Sequence, residues 1–297
     1  MTVSRTFSYE GDGREPQPPA AAGGPPHPAV VSAVKEDIRQ TLRSAWIDPA
    51  LEVASLYPIF FTAAWSAIRP NVGRSFLALA RSVRNEAAEA MGSFPSVDIR
   101  KGLEKNLEEE EIRRVEDCAR ASHLAAAKSQ IVAHALYRAA RRDRIEGTGG
   151  EEPPIRRGVP EWQRWMSIQP APEPAKALLD DAVTELAVPS APVPLRLFAR
   201  WPDALGSLWK EIRAHQGSKG WNAATVRLRR SVLAGVSTLP HPIELQWGAL
   251  QARGFTEDER KELVERLAAY DAAMPGQTLV AAFAWTALGA PDVGSEG

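Results

Sequence analysis

The sequence predicts an all-α protein, a tandem pseudo-two-fold repeat of two helical units with a long linker and a pocket between the repeats. Three observations lead to this class. Apolar residues recur three and four apart, as in Val34, Ile38 and Leu42 and again in Leu263, Val264, Leu267 and Tyr270, which places them on one helical stripe. Sustained two-residue alternation, the mark of a half-buried strand, is absent. Short patterns of the first half also return in the second half in the same order.

The repetition is specific. Glu36-Asp37 through Leu42 matches Asp180-Asp181 through Leu186, an offset of 144 (186 − 42). Tyr57-Pro58 with Trp65 matches Trp201-Pro202 with Trp209, also at 144 (209 − 65). Leu79-x-Arg81-Ser82-Val83 matches Leu228-x-Arg230-Ser231-Val232, and Phe94-Pro95 matches Leu239-Pro240, at offsets of 149 (228 − 79) and 145 (239 − 94). Duplicated helical units pack face to face because neither can cover its apolar side alone, and the groove between them is the natural place for a ligand. A duplicated scaffold whose interface is simply core fits the repetition equally well.

Taken in order, residues 1–31 are rich in Pro, Gly and Ala with few large apolar side chains, so they read as a disordered tail. Residues 32–146 form the first helical repeat, in which Glu108 to Glu111 open a helix at its positive dipole end. Residues 147–174, punctuated by Gly149, Gly150, Pro153, Pro154, Pro160 and Pro170, are a linker, which Trp162, Trp165 and Met166 should hold against the body. Residues 175–290 form the second repeat, where Thr256-Glu257-Asp258-Glu259 reads as a capping box, and 291–297 form a second disordered tail. At least eight helices and little or no sheet are expected.

Composition narrows the function. Lys+Arg 36 against Asp+Glu 37 gives a net charge of −1, and the arginines are mixed with glutamates at helical spacing, so a nucleic-acid partner is not expected. No segment approaches the roughly 20 apolar residues of a membrane span and no apolar leader opens the chain, so neither membrane nor export is expected. The single cysteine, Cys118, excludes an internal disulfide and fits a cytoplasmic protein; it reads as a core thiol. No metal site is expected, since His123 and His134 lie eleven residues apart on one helix, about 16 Å along its axis. A homodimer is left open.

The chain from about Val34 to Leu288 resembles the group I 2-haloacid dehalogenases. The likeness rests on Glu36-Asp37-Ile38-Arg39-x-Thr41-Leu42-Arg43 with Trp46, on Tyr57-Pro58 to Ala64-Trp65, and on Ala199-x-Trp201-Pro202. It implies an all-helical protein of two pseudo-symmetric repeats that hydrolyses small 2-haloalkanoic acids of either hand. It also implies an aspartate-activated water, no covalent ester and no cofactor. The family's aromatic wall falls on Trp46. Its water-activating aspartate, seven residues before the Trp-Pro pair, falls on Pro194, preceded by Val193, and its water-positioning asparagine falls on Ala126, two residues before Lys128. No acid lies between Ser190 and Trp201, so any carboxylate in the pocket must come from elsewhere.

Candidates for that carboxylate each have a plainer role. Asp48, in Trp46-Ile47-Asp48-Pro49, lies close to the position pseudo-symmetric to the missing aspartate, and Asp-Pro is also a common helix start. Glu52, one turn beyond, would share its face, or be a surface acid. Asp271, beside Tyr270 on what reads as the last-but-one helix, could supply the base while Tyr270 walls the pocket, or both could be ordinary helix residues. His134, amid Ile131, Val132, Ala133, Ala135 and Leu136, is a general-base candidate or a satisfied core histidine. Asp203 reads as a first-turn acid. The expected catalytic set is therefore Asp48, His134 and Asp271, and the expected substrate lining is Trp46, Pro49, Ala126, Val193, Pro194 and Tyr270. The expected activity is hydrolase-like, on a small 2-substituted carboxylic acid. The alternative is a non-catalytic small-molecule-binding pseudoenzyme, whose pocket would hold neither carboxylate nor imidazole.

Overall fold

The computed structural model describes residues 24–95 and 98–289, which form twelve α-helices with no strand among them. Residues 1–23 and the expected tail 291–297 lie outside the described residues. The first half begins with α1 (Pro28–Leu42), α2 (Pro49–Ser55), α3 (Pro58–Ile68) and α4 (Arg74–Met91), followed by the single turn α5 (Arg100–Leu103) and the long α6 (Glu109–Ala140). Proline opens α1, α2 and α3, where its fixed φ suits the first helical residue and its missing N–H has no intrahelical partner to lose. Residues 28–31, placed in a tail by composition, are helical for this reason: Pro28 starts the turn and the His27 ring accepts from the Ala29 N–H.

The second half follows the same order: α7 (Glu173–Leu186), α8 (Val193–Phe198), α9 (Pro202–His215), α10 (Lys219–Val236), α11 (Trp247–Ala252) and α12 (Glu257–Ala287). The lengths correspond as well, 18 residues for both α4 and α10, and 32 for α6 against 31 for α12. The residues before α3 and α9 adopt nearly the same backbone, φ −115°, ψ 75° at Tyr57 and φ −124°, ψ 82° at Trp201. Trp65 Nε1 donates to Asp37 Oδ2 at 2.7 Å, and Trp209 Nε1 donates to Asp181 Oδ2, also at 2.7 Å. Arg69 and Arg213 reach the same two carboxylates at 3.0 and 3.1 Å.

The two long helices α6 and α12 pack along much of their length at the centre of the molecule and are buried on most faces from Cys118 to Ala140 and from Tyr270 to Ala287. Thr256 caps α12 as the sequence predicts: its hydroxyl accepts from the Glu259 N–H at 3.2 Å, and the Glu259 carboxylate accepts from the Thr256 N–H at 2.7 Å. The helix does not stop at Pro275 but runs on to Ala287, so Tyr270 and Asp271 lie on the final described helix rather than the last but one. Pro275 cannot donate to the Asp271 carbonyl, and close packing on α6 keeps the helix intact across that gap. Phe60 and Phe61 of α3 are fully buried, each contributing roughly 1.5–3 kcal/mol of hydrophobic stabilisation.

The segment between α6 and α7 has only one short turn, Glu161–Gln163, and lies on the body. It starts at an isolated antiparallel bridge, Ile145 to Ile243, and turns at Gly147, whose φ of 76° and close approach to Pro240 and His241 leave no room for a Cβ. The Gly158 N–H donates to the Gln40 carbonyl at 2.8 Å, the Arg120 guanidinium stacks on Trp162 at 4.7 Å, and Met166 is buried.

Candidate active site

Asp48 is the N-cap of α2, its Oδ1 accepting from the Ala50 N–H at 3.0 Å. The plain role is therefore real, but it occupies only one side of the carboxylate. The residue is 6% exposed and lines a small cavity bounded by α2, α6, α8 and α12. Trp46 walls this cavity, Ser122, Ala126 and Ser129 come from α6, Val193 and Pro194 from the start of α8, and Met274 and Gln277 from α12. Its volume is about 10 Å³, close to the minimum that holds one water molecule.

The electrostatics of Asp48 follow from its burial. Desolvation pushes the carboxyl up to about 6, opposed by hydrogen bonds from the Ala50 N–H and the Ser129 hydroxyl and by the positive charge of Arg196. Such a group is largely ionised at neutral pH, yet far more basic than a surface aspartate. Gln277 lines the same cavity, and its side-chain Nε2 is buried with no hydrogen-bond partner among the described residues. An unsatisfied buried amide is costly, so its placement at a cavity the size of one water is chemically meaningful. Ser122 donates to the Cys118 carbonyl at 2.7 Å, which leaves its oxygen lone pairs as acceptors.

The structure gathers Trp46, Asp48, Ala126, Val193 and Pro194 at this cavity and sets the other expected residues apart. Pro49 is buried at the first position of α2, directly after Asp48. Glu52 turns outward to an ion pair with Lys35, because Asp48 is an extended cap outside the helical phase and the buried stripe of α2 runs through Ala50, Leu51 and Ala54, which leaves Glu52 on the outer side. Tyr270 packs against Ala50, Ala133 and Met274, with its hydroxyl donating to Ser190 at 3.4 Å, and lines a groove with Val53 and Pro189 rather than the Asp48 cavity. His134 and Asp271 meet each other instead, Nδ1 to Oδ1 at 2.9 Å, with Arg229 of α10 at 3.7 Å from the second carboxylate oxygen. Neither lines the cavity. Asp203 sits in the first turn of α9.

The remaining buried groups play other parts. His123 stacks on Trp285 at 4.6 Å and 6°; burial, helped by Arg84, pushes its imidazole down to about 3 and keeps it neutral. Burial pushes the Cys118 thiol up to about 12, which makes it unreactive at neutral pH. Lys128, beside the Ala126 position, donates to the Leu42 carbonyl at 2.8 Å, at the negative end of α1. No cluster of three or more His, Cys, Asp or Glu converges among the described residues, and no helix among them is long and apolar enough to cross a membrane.

Two polar residues that line the cavity, Ser129 and Gln277, escaped sequence reasoning. Their signal was there: Ser129-Gln130 and Gln277-Thr278 are polar pairs inside otherwise apolar stretches of α6 and α12, and Thr278 donates across the two helices to Gln130 at 2.8 Å.

A second, larger cavity of about 280 Å³ lies between the linker and α8. Cys118 on α6 and Leu197 on α8 line it, each about one helical turn from a residue of the Asp48 cavity, Ser122 and Val193.

No family model and no curated protein sequence matches the chain. Solved structures do. A D-2-haloacid dehalogenase mutant in complex with D-2-CPA is 19% identical over 90% of this chain and 96% of its own, with a TM-score of 0.77. A D-2-haloacid dehalogenase in complex with L-LA is 17% identical over 90% of this chain and 97% of its own, TM-score 0.78. A further mutant is 20% identical over 90% and 96%, TM-score 0.76. The chain thus has the all-helical fold of the D-2-haloacid dehalogenases.

Proposed function

We propose that this chain is a cytoplasmic, cofactor-independent hydrolase of a small 2-substituted carboxylic acid, a divergent relative of the group I 2-haloacid dehalogenases, in which Asp48 is the general base. The observation that carries this reading is the pairing of Asp48 with the unpartnered Gln277 amide across a cavity that fits one water. Asp48 accepts a proton from that water, Gln277 orients its oxygen, and Trp46 shields the site. The oxygen attacks C2 of the substrate, the bond to the leaving group breaks with its electron pair, and halide departs. The proton stays on Asp48 until it passes to solvent. The product is a 2-hydroxy acid of inverted configuration.

The corresponding helix starts and the paired Trp–Asp bonds support a tandem repeat of residues 32–146 and 175–290. On that reading α2 corresponds to α8, and the base has moved across the pseudo-two-fold: the acid that the family resemblance would put at Pro194 is replaced by one at the start of the partner helix. Both positions border the same cavity.

The alternative, a pseudoenzyme that binds without turnover, is favoured by the small volume of the cavity, which cannot hold an organic acid, and opposed by the presence of Asp48 in its wall. Chloride release from each enantiomer of 2-chloropropionate decides between them. The hydrolytic reading expects release with at least one enantiomer and a lactate product; no release from either at high enzyme concentration rejects dehalogenation.

A further inference from the structure

We propose that the cavity between the linker and α8 is a binding site for a small monocarboxylate, with Arg196 as its anchor and Arg200 at its rim. The volume, about 280 Å³, sits at the lower end of small-molecule sites, which run from roughly 300 Å³ upward. No carboxylate lines it. Arg196 is half-buried, and its guanidinium has no hydrogen bond or ion pair with any described residue, although most buried or half-buried arginines here have a carboxylate, carbonyl or ring as partner. Arg200 is exposed beside it, over the ring of Trp201.

Apart from Ser167 and Gln169 of the linker, the rest of the lining is largely apolar. Trp165 and Met166 of the linker face Leu197 of α8, so the site presents a cationic end and an apolar body, the complement of a short aliphatic acid.

The location gives this site a purpose. It abuts the Asp48 cavity through the adjoining turns of α6 and α8, and the charge of Arg196 acts on Asp48 itself. A carboxylate held on Arg196 therefore lies beside the water that Asp48 activates, and supplies the room for substrate that the smaller cavity lacks. This role for the site rests on the hydrolytic reading, whereas binding can be tested without turnover.

Calorimetric titration of the full chain with propionate, which has no leaving group, and with its neutral isostere propionamide provides that test. Saturable propionate binding is expected, with propionamide at least tenfold weaker. Arg196→Gln should weaken propionate at least tenfold, and Arg196→Lys, which keeps the charge without the planar fork, only severalfold. Ser167→Trp, a substitution at an exposed linker residue that lines the cavity, should abolish binding without changing the thermal melt, and so keeps the test decisive should Arg196→Gln fail to fold. Equal affinity for acid and amide, or propionate binding unchanged in Arg196→Gln or Ser167→Trp, overturns the proposal. Loss of chloride release leaves these expectations intact, whereas chloride release without propionate binding rejects the Arg196 site alone.

Discussion

Asp48 and Gln277 line the same small cavity, one from the start of α2 and the other from within α12. Asp48 accepts from the Ala50 N–H and the Ser129 hydroxyl, whereas the Gln277 Nε2 has no hydrogen-bond partner among the described residues. An acceptor poised near neutrality opposite an unused donor is the arrangement that binds and polarises a water.

Gln277→Leu separates function from stability. Because its only partner is the cavity water, removing this donor should change folding stability by no more than ~1 kcal/mol in either direction, while the loss of water orientation lowers kcat by about tenfold or more. Urea unfolding and chloride-release kinetics on the same preparation check both effects. A large drop in stability would mean that a protein group, not the cavity water, already satisfies Gln277.

The burial of Asp48 makes a pH-dependent stability prediction. Its carboxyl sits at about 6 in the folded chain against an ordinary value of 3.8, so the folded state binds the proton more tightly between those values. That contribution is fully present below about pH 4 and is lost as pH rises through about 6, a penalty of up to ~3 kcal/mol above pH 7. Asp48→Asn keeps the helix cap and removes the charge. It should therefore be more stable than the parent by ~1–3 kcal/mol at pH 7.5 and nearly equal to it at pH 4. Denaturant melts at the two pH values test this, and an equal difference at both would contradict it.

The Trp65–Asp37 and Trp209–Asp181 bonds are equal in length and each is shared with an arginine. Asp37→Asn and Asp181→Asn should each cost about 1 kcal/mol, discounted for partial exposure, and the double variant should show the sum, because the two sites share no partner. Thermal melts of the three variants check this additivity.

The His134–Asp271 pair predicts a purely structural effect. His134→Leu leaves the buried Asp271 carboxylate with only the more distant Arg229, and should cost about 3 kcal/mol of stability. At a temperature where the variant is folded, kcat should stay within a fewfold of the parent. A hundredfold loss of kcat with an intact fold would return His134 to the catalytic set.

Much of this was legible in the sequence. Helix starts were written in Pro49, Pro58, Pro202 and the Thr256 box, since capping and proline geometry are local. That Asp48, Trp46, Val193 and Pro194 come to one cavity was readable because repeat matching and family resemblance both act on short contiguous stretches. What sequence could not supply was rotational phase. Glu52, Tyr270, His134 and Asp271 lie on predicted helices, but which way each points depends on helix packing, and an error of one residue turns a side chain by about 100°. Gln277 went unread because a lone amide in an apolar run looks like tolerated polarity until the facing helix is placed.

The most direct test of the account is the pH dependence of chloride release by the parent and by Asp48→Asn. The parent should gain activity with rising pH through an apparent pKa of about 6, and Asp48→Asn should lose roughly 10²–10⁴-fold in kcat while remaining folded. An Asp48→Asn variant with the parent's rate and pH profile would contradict the assignment of Asp48 as the base.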